Sequence, residues 1–184
     1  MTKKLTKEEL REQTLQRLKN FTGTKRIQAE QDLKTKLTAS FEWQKAQCVA
    51  LTISLPFEIS TDDLIKQAWK EQKKVVVPTI KAGSQMDFFQ INPQTYYQNS
   101  KFGIKEPIDA KFIAKEEIDF ILVPGIVYNK NGYRIGFGKG FYDRYLSNFH
   151  KNTASLAFFW QINNTWIPKT FDQKVQKLYL EKSK

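Results

Sequence analysis

The stretch IDFILVPG, residues 118–125, decides the fold that this sequence predicts. It is an almost continuous apolar run of strand length that ends in proline and glycine, which is typical of a strand buried on both faces of a sheet. Further along the chain, FYDRYLSNF, residues 141–149, has the pattern of a helix. A strand followed by a glycine-rich connection and a helix is characteristic of domains built around a parallel sheet.

Similar strand patterns occur on both sides of this unit. These runs are short, apolar and bounded by polar or turn-forming residues. They are CVALTISL (48–55), VVVP (75–78), MDFFQI (86–91), ASLAFFW (154–160) and VQKLYL (175–180). STDDLIKQAWKEQ, residues 60–72, predicts a helix between the first two, and NSKFGIKEPI, residues 99–108, predicts a loop.

Two further helices are predicted in the first forty residues. Thr6 and Glu9 have the spacing of a capping box, which marks the start of the first helix. The apolar positions expected to face the core recur at helical spacing on both helices. They are Leu10, Leu15, Leu18 and Phe21 on the first, and Ile27, Leu33, Leu37 and Phe41 on the second.

The whole pattern predicts an α/β fold over residues 1–184. We expect a single three-layer domain with a mainly parallel central sheet and helices on both faces. Ligands of such folds bind beyond the carboxyl ends of the strands. The glycine-rich segment that follows residues 118–125 would lie at such a position.

Composition excludes several classes of protein. Forty per cent hydrophobic residues, with 14 Phe, exclude a disordered chain, and the lack of an apolar run near the ~20 residues of a membrane span excludes an integral membrane protein. The charged N-terminus has no apolar signal segment, so we expect a cytoplasmic protein. One cysteine and one histidine are too few for a Cys/His zinc site, and Cys48 lies in an apolar run where a buried side chain is expected.

A net charge of +11 suggests a polyanionic partner. Nucleic acid, an anionic lipid surface, or a small ligand with several phosphates or carboxylates would all fit. The positive residues are spread along the chain without a polybasic block, so solubility accounts for most of them.

The segment RIGFGKGFYDRYL, residues 134–146, has the chemistry of a phosphate site. Alternating glycines at Gly136, Gly138 and Gly140 let the backbone adopt positive φ and present successive N–H groups to an anion. Lys139 adds a full positive charge inside the loop. The segment is not a P-loop, because no Ser or Thr follows the Gly-Lys pair, and Phe141 replaces the third glycine of a GxGxxG motif.

Asp143 follows the glycines and has two interpretations. An acid beside a triphosphate would repel it unless a cation intervened, and Mg²⁺ is commonly held by one or two carboxylates together with phosphate oxygens. Asp143 is therefore a candidate Mg²⁺ ligand. The alternative is an ordinary acid in the first turn of a helix, where the helix dipole favours it.

The longer string LVPGIVYNKNGYRIGFGKGFYDRYL, residues 122–146, resembles the signature of the 5-formyltetrahydrofolate cyclo-ligase family. PFEIST (56–61), VVVP, FGIKEP (102–107) and the pair Pro168 and Asp172 are similar to other segments of that family, in the same order. Asn129 departs from the family's usual Asp, Phe141 from a Tyr, and Asp172 lies one residue closer to Pro168 than usual.

The resemblance implies an ATP- and Mg²⁺-dependent enzyme that cyclises 5-formyltetrahydrofolate to 5,10-methenyltetrahydrofolate, releasing ADP and phosphate. It implies that Lys139 and Arg134 are catalytic, that Glu58 binds the substrate and that Asp143 and Asp172 hold the metal. Further wall residues for folate would be Met86, Phe88, Phe102 and Tyr142, although core packing is an equally good explanation for each apolar one. The implied ATP contacts are Lys3, Lys4, Arg11, Arg134, Gly136, Phe137, Gly138, Lys139, Gly140, Phe141 and Tyr142.

The expected partners are the small molecules ATP and a folate, which could have a polyglutamate tail. We expect a monomer that binds neither nucleic acid nor a membrane. Two rival hypotheses stay open. The basic balance and the aromatics among cations in NPQTYYQNSKF (92–102) would suit a nucleic-acid-binding protein, and the same ATP site could serve another carboxamide or carboxylate acceptor.

Overall fold

The computed structural model describes residues 5–81, 85–100 and 103–182. Its main element is a seven-stranded sheet. The helices are α1 (Lys7–Asn20), α2 (Gly23–Thr38), α3 (Phe41–Lys45), α4 (Asp62–Lys70) and α5 (Phe141–Leu146). The strands of the sheet are β1 (Cys48–Ala50), β2 (Lys74–Ile80), β3 (Met86–Ile91), β6 (Phe112–Ile113), β7 (Phe120–Leu122), β10 (Asn152–Ala157) and β11 (Lys177–Leu180). Their order across the sheet is β11-β10-β7-β1-β2-β3-β6. Two hairpins lie outside the sheet: β4 (Tyr97–Asn99) pairs with β5 (Lys105–Pro107), and β8 (Val127–Tyr128) pairs with β9 (Arg134–Ile135).

The sheet is mainly parallel. Strands β11, β10, β7, β1 and β2 all pair in parallel, whereas β3 and β6 complete one edge as antiparallel strands. The carboxyl ends of the parallel strands therefore meet at one edge of the sheet.

Helices cover both faces of the sheet, as the sequence predicts. Alternate residues of β1 point to opposite faces, so Val49 joins one hydrophobic core and Cys48 and Ala50 join the other. The core on the Val49 side includes buried residues of α1, α2, α3 and α4, and the core on the Cys48 side includes Leu146 of α5. The three-layer α/β prediction is confirmed.

The capping box at the start of α1 is confirmed. The Glu9 N–H donates to Thr6 Oγ1 at 3.2 Å, and the Thr6 N–H donates to Glu9 Oε2 at 2.8 Å. These reciprocal bonds satisfy backbone donors that a helix start leaves unpaired. They fix where α1 begins, and α1 contributes two basic residues to the cavity described below.

The apolar face of the first two helices is confirmed in part. Leu10, Leu18, Leu33 and Leu37 are buried. Ile27 and Phe41 are instead 67% and 70% exposed, so their assignment to the core face was wrong. Phe41 falls beyond the end of α2, in the first position of the separate helix α3, where the α2 periodicity no longer applies.

Three predicted strands end earlier than expected, and one of them, predicted over residues 118–125, is β7, which ends at Leu122. The strand predicted over residues 48–55 ends as β1 at Ala50, and two apolar residues that follow it, Ile53 and Leu55, line a cavity. The strand predicted over residues 154–160 ends as β10 at Ala157. A 3₁₀ turn, Phe159–Gln161, replaces its end because the Gln161 side chain accepts a hydrogen bond from the Phe158 N–H at 2.8 Å.

The segment predicted as a loop over residues 99–108 contains strand structure. Asn99 is the last residue of β4 and residues 105–107 form β5, and these strands pair as a hairpin in which Asn99 is opposite Lys105. Strand β4 is exposed along its whole length, so its sequence has no alternation of apolar and polar residues that would have indicated a strand.

Cys48 is buried, as predicted, and burial raises the pKa of its thiol to about 11.

In the described ranges, no helix has both the length and the apolar character needed to cross a bilayer.

Candidate active site

A cavity of about 730 Å³ opens at the carboxyl ends of the parallel strands. Thr52 follows β1, Pro124 and Gly125 follow β7, and Val77, Pro78 and Ile80 belong to β2. The glycine segment, residues 136–140, forms another wall. The cavity is therefore where the sequence predicts a ligand site for this fold.

Two of the three alternating glycines in this segment have the positive φ that the sequence predicts, whereas Gly136 does not. Gly138 and Gly140 adopt φ values of +85° and +68°, in the left-handed region. A Cβ at Gly138 would lie 3.3 Å from the Arg11 guanidinium, so the small residue also lets α1 approach. Arg11 Nε donates to the Gly136 carbonyl at 2.7 Å. Helix α1 thus packs a basic side chain against the loop.

Arg134 and Asp143 form one linked pair at the base of the loop. The guanidinium of Arg134 lies 3.1 Å from Asp143 Oδ1, and its side chain is only 4% exposed. Arg134 also donates to the Gln173 carbonyl at 2.6 Å, and the Gln173 N–H donates to Asp143 Oδ1 at 3.0 Å. Both predicted site residues line the cavity, and both are held by the segment before β11.

Asp172 pairs with a residue that sequence reasoning missed. Lys7 Nζ lies 2.7 Å from Asp172 Oδ2 and 4.8 Å from the centroid of the Trp166 ring, and both Lys7 and Asp172 line the cavity. Lys7 and Arg11 are one helical turn apart, so they lie on the same face of α1. That spacing could have identified Lys7. The predicted contacts Lys3 and Lys4 lie outside the described residues.

The two predicted metal ligands face the same cavity. The described contacts use Oδ1 of Asp143 and Oδ2 of Asp172, so each carboxylate has its other oxygen to offer. In residues 5–81, 85–100 and 103–182, no group of three or more His, Cys, Asp or Glu side chains could hold a metal by itself. Two carboxylates fit Mg²⁺ only when phosphate oxygens or waters complete its shell.

Glu58 belongs to the loop between β1 and α4, far in sequence from the linked pair of Arg134 and Asp143. It lines the cavity, and burial raises the pKa of its carboxyl above the usual value. The Leu55 N–H donates to its Oε2 at 2.8 Å, which fixes the side chain. A buried carboxyl held in this way is a candidate acceptor for ligand N–H groups.

Tyr142 offers a second polar group. Its hydroxyl is buried and has no hydrogen-bond partner in the part of the chain that the structure describes. Burial raises the pKa of this hydroxyl, with the nearby Glu58 charge contributing, so Tyr142 stays protonated and can donate. An unpaired buried hydroxyl is costly, and a ligand in the cavity would satisfy it.

The predicted apolar walls are found in different places. Met86, a predicted folate wall, lines the cavity, as do the predicted ATP contacts Gly136, Phe137, Gly138, Lys139, Gly140 and Phe141. Phe88 does not: it is 1% exposed and its ring packs edge-on to Tyr145 at 4.9 Å, which favours its core explanation. Phe102 lies outside the described residues. Phe57, which was not predicted as a site residue, packs against the exposed Phe137, and their ring centroids are 6.2 Å apart.

Asn129, one of the departures from the family pattern, has a clear structural role. Its Oδ1 accepts hydrogen bonds from the N–H groups of Asn131 and Tyr133, each at 3.0 Å. An aspartate oxygen could accept the same two bonds. The exchange therefore preserves the turn between β8 and β9.

Comparison with known proteins shows the family. The model of the 5-formyltetrahydrofolate cyclo-ligase family matches residues 3–168. The chain belongs to this family. The 5-formyltetrahydrofolate cyclo-ligase of Haemophilus influenzae is 32% identical over 138 residues, 73% of this chain and 74% of that protein. The one from Mus musculus is 26% identical over 95% of this chain and 93% of its own length.

Solved structures show the same fold. The NMR structure of 5,10-methenyltetrahydrofolate synthetase from Aquifex aeolicus matches with a TM-score of 0.85 and 28% identity, over 97% of this chain and 91% of that one. The synthetase from Mycoplasma pneumoniae matches with a TM-score of 0.78 and 22% identity, over 95% and 98% of the two chains. The predicted fold and family are confirmed, and membership indicates a cyclo-ligase.

Proposed function

We propose that the protein uses ATP and Mg²⁺ to cyclise 5-formyltetrahydrofolate to 5,10-methenyltetrahydrofolate. One observation supports this above the others. A single cavity is lined both by a cationic glycine loop suited to phosphates and by a buried acid, Glu58, suited to the amino-pyrimidinone edge of a pterin. Phosphoryl transfer between two bound molecules requires that both reach the same cavity.

The chemical problem explains the need for a phosphate donor. The formyl group on N5 is amide-like, so its carbon is a poor electrophile and its oxygen a poor leaving group. Transfer of the γ-phosphoryl to the formyl oxygen breaks the bond to the β-phosphate and releases ADP. The N10 amine then attacks the activated carbon and loses its proton, and the carbon–oxygen bond breaks to release phosphate.

The glycine loop and the basic residues around it would bind ATP. The N–H groups of residues 136–140 would contact phosphate oxygens, and Lys139, whose side chain is exposed beside the loop, would neutralise charge on the transferred group. Arg134, Arg11 and Lys7 already lie in fixed positions at this end of the cavity. Fixed cations of this kind favour the transition state because they need no rearrangement as charge develops.

Asp143 and Asp172 would hold Mg²⁺ through the oxygens that the described contacts leave available. The bound cation would offset the charge of the β- and γ-phosphates. Asp172 would have to share its carboxylate between the metal and Lys7. Asp143 would in addition hold Arg134 in place.

The folate would lie on the Glu58 side of the cavity. Glu58 would accept hydrogen bonds from the pterin amino-pyrimidinone edge, Tyr142 would donate from its unpaired hydroxyl, and Met86 would provide apolar contact. Lys105 and Lys169 also line the cavity and could contact a polyglutamate tail.

The decisive test mixes the protein with Mg-ATP and 5-formyltetrahydrofolate and follows the methenyl chromophore. We expect product only when ATP and Mg²⁺ are both present, with one ADP released for each methenyl group formed. ADP release without the chromophore in a screen of other carboxamide and carboxylate acceptors would favour another substrate. Absence of any ATP consumption would contradict the proposal.

A further inference from the structure

Glu58 lies in a segment without regular secondary structure. Residues 51–61 connect β1 to α4, and strand hydrogen bonding stops after the Leu51 N–H, which donates to the Val76 carbonyl. The bond from the Leu55 N–H holds the Glu58 side chain within this segment, but it does not fix the segment relative to the rest of the cavity. Another contact must fix its position.

Arg26 of α2 makes that contact. Its Nη2 donates to the Glu58 carbonyl oxygen, and its Nε lies 2.9 Å from Glu30 Oε1 one turn further along α2. Glu30 Oε1 also accepts a bond from the Ser60 N–H at 3.4 Å. The ion pair of Arg26 and Glu30 therefore binds the Glu58 segment at two points of its backbone.

The same guanidinium holds the end of α1. Its Nη1 donates to the carbonyl oxygens of Leu18 and Phe21, each at 3.2 Å. These carbonyls belong to the last turn and the C-cap of α1, where helix acceptors have no partner within the helix. The opposite end of α1 presents Lys7 and Arg11 to the cavity. Arg26 thus links the helix with the phosphate-facing cations to the segment with the folate-facing acid.

Burial makes this link stiff. The side chains of Arg26 and Glu30 are 13% and 11% exposed, so solvent competes little for their hydrogen bonds. A guanidinium has five donors in a rigid planar arrangement, and a lysine ammonium could not reach the same set of acceptors.

We propose that Arg26 is a positioning residue that sets where Glu58 stands relative to the phosphate end of the cavity. The inference depends on the proposed function, because it takes Glu58 to be a contact for the folate. Arg26 itself does not line the cavity. It acts on Glu58 through the backbone of the Glu58 segment, whereas the cavity end of α1 keeps its own contacts from Lys7 to Asp172 and from Arg11 to Gly136.

The test compares Arg26→Lys and Arg26→Ala with wild type. Loss of the charged hydrogen bonds that hold the segment should raise the KM for 5-formyltetrahydrofolate by roughly tenfold, while the KM for ATP changes by less than about threefold. Arg26→Lys keeps a positive charge beside Glu30, so we expect this variant to stay folded even if Arg26→Ala unfolds. Lys34→Ala is the matched control, because Lys34 is also on α2 and pairs with Asp63 at 2.6 Å, just beyond the segment.

Hydrogen exchange provides a second readout that a general loss of stability would not reproduce. We expect amides of residues 51–61 to exchange faster in both Arg26 variants, while those of β10 keep their wild-type protection. A selective KM change together with selective exchange supports the inference. Equal changes in both KM values, or unchanged exchange in residues 51–61, would overturn it. A wild-type protein that forms no methenyl product would overturn the proposed function first, so the two failures are distinguishable.

Discussion

The two ends of the cavity are built in different ways. The centre of the proposed phosphate end is one short stretch of chain, residues 134–143, whose glycines, Lys139 and Asp143 are neighbours in sequence, and Lys7, Arg11 and Asp172 join it from other parts of the chain. The proposed folate end combines Glu58 and Met86, which belong to separate parts of the fold, with Tyr142, which lies at the end of the stretch 134–143. The comparison shows why a phosphate site can be recognised in sequence: backbone conformation is a local property, whereas a pocket for a ring requires walls from distant segments.

The largest effect should come from the phosphate end. We expect Lys139→Ala to lower kcat by about 100-fold or more, because the side chain would neutralise charge that develops on the transferred phosphoryl group. Initial rates of methenyl formation measure this. Its thermal unfolding should match wild type, since the Lys139 side chain is exposed.

Lys70→Ala is the control for this prediction. Lys70 is an exposed lysine at the end of α4, away from the cavity lining, so its removal changes the net charge equally without affecting the site. Both variants should show the same general charge effect on binding of anions. Equal rates for Lys139→Ala and wild type would remove Lys139 from the mechanism.

A smaller and more selective effect should come from the folate end. Glu58→Gln keeps the size of the side chain but removes its charge, so we expect the KM for 5-formyltetrahydrofolate to rise roughly tenfold. The KM for ATP should stay within about twofold of wild type. Steady-state kinetics with each substrate varied in turn will separate the two. A shift in the ATP constant instead would mean that the two ends of the cavity are assigned the wrong way round.

The smallest effect concerns stability and pH. Burial raises the pKa of Glu58 in the folded state, so ionising this carboxyl costs more folded than unfolded. The stability associated with the raised pKa is fully present below the ordinary glutamate pKa and is lost as the pH rises through the raised value. Glu58→Gln avoids that loss. We expect its melting temperature, relative to wild type, to increase as the pH rises above about 4.5.

Melting curves across this pH range make the comparison, with the exposed Glu12→Gln as control. Glu12→Gln should follow the wild-type curve much more closely, because its carboxyl is exposed on α1. If Glu58→Gln and wild type keep a constant difference at every pH, Glu58 does not have a raised pKa in the folded protein. That result would also weaken the distinction between a buried acid at one end and an exposed lysine at the other.

Much of the fold followed from local patterns. The apolar segment 118–125 contains the strand β7, and the capping box at Thr6 and the buried leucines Leu10, Leu18, Leu33 and Leu37 are found where the sequence predicts them. The periodicity of apolar residues predicted strand ends wrongly where those residues line a cavity instead of packing in the core. The run after Ala50 lines a cavity instead of extending β1, and the exposed β4 gave no alternation to detect.

The sequence by itself determined the alternation of strands and helices, the positive-φ glycines and the family, because these depend on neighbouring residues. Only the tertiary structure decided the partners across long separations. Lys7 meets Asp172 across 165 positions, Arg26 reaches the Glu58 carbonyl across 32, and Phe88 packs into the core instead of the cavity wall. The physical reason is that burial and ion pairing depend on which surfaces the sheet and helices bring together, and no local pattern encodes that choice.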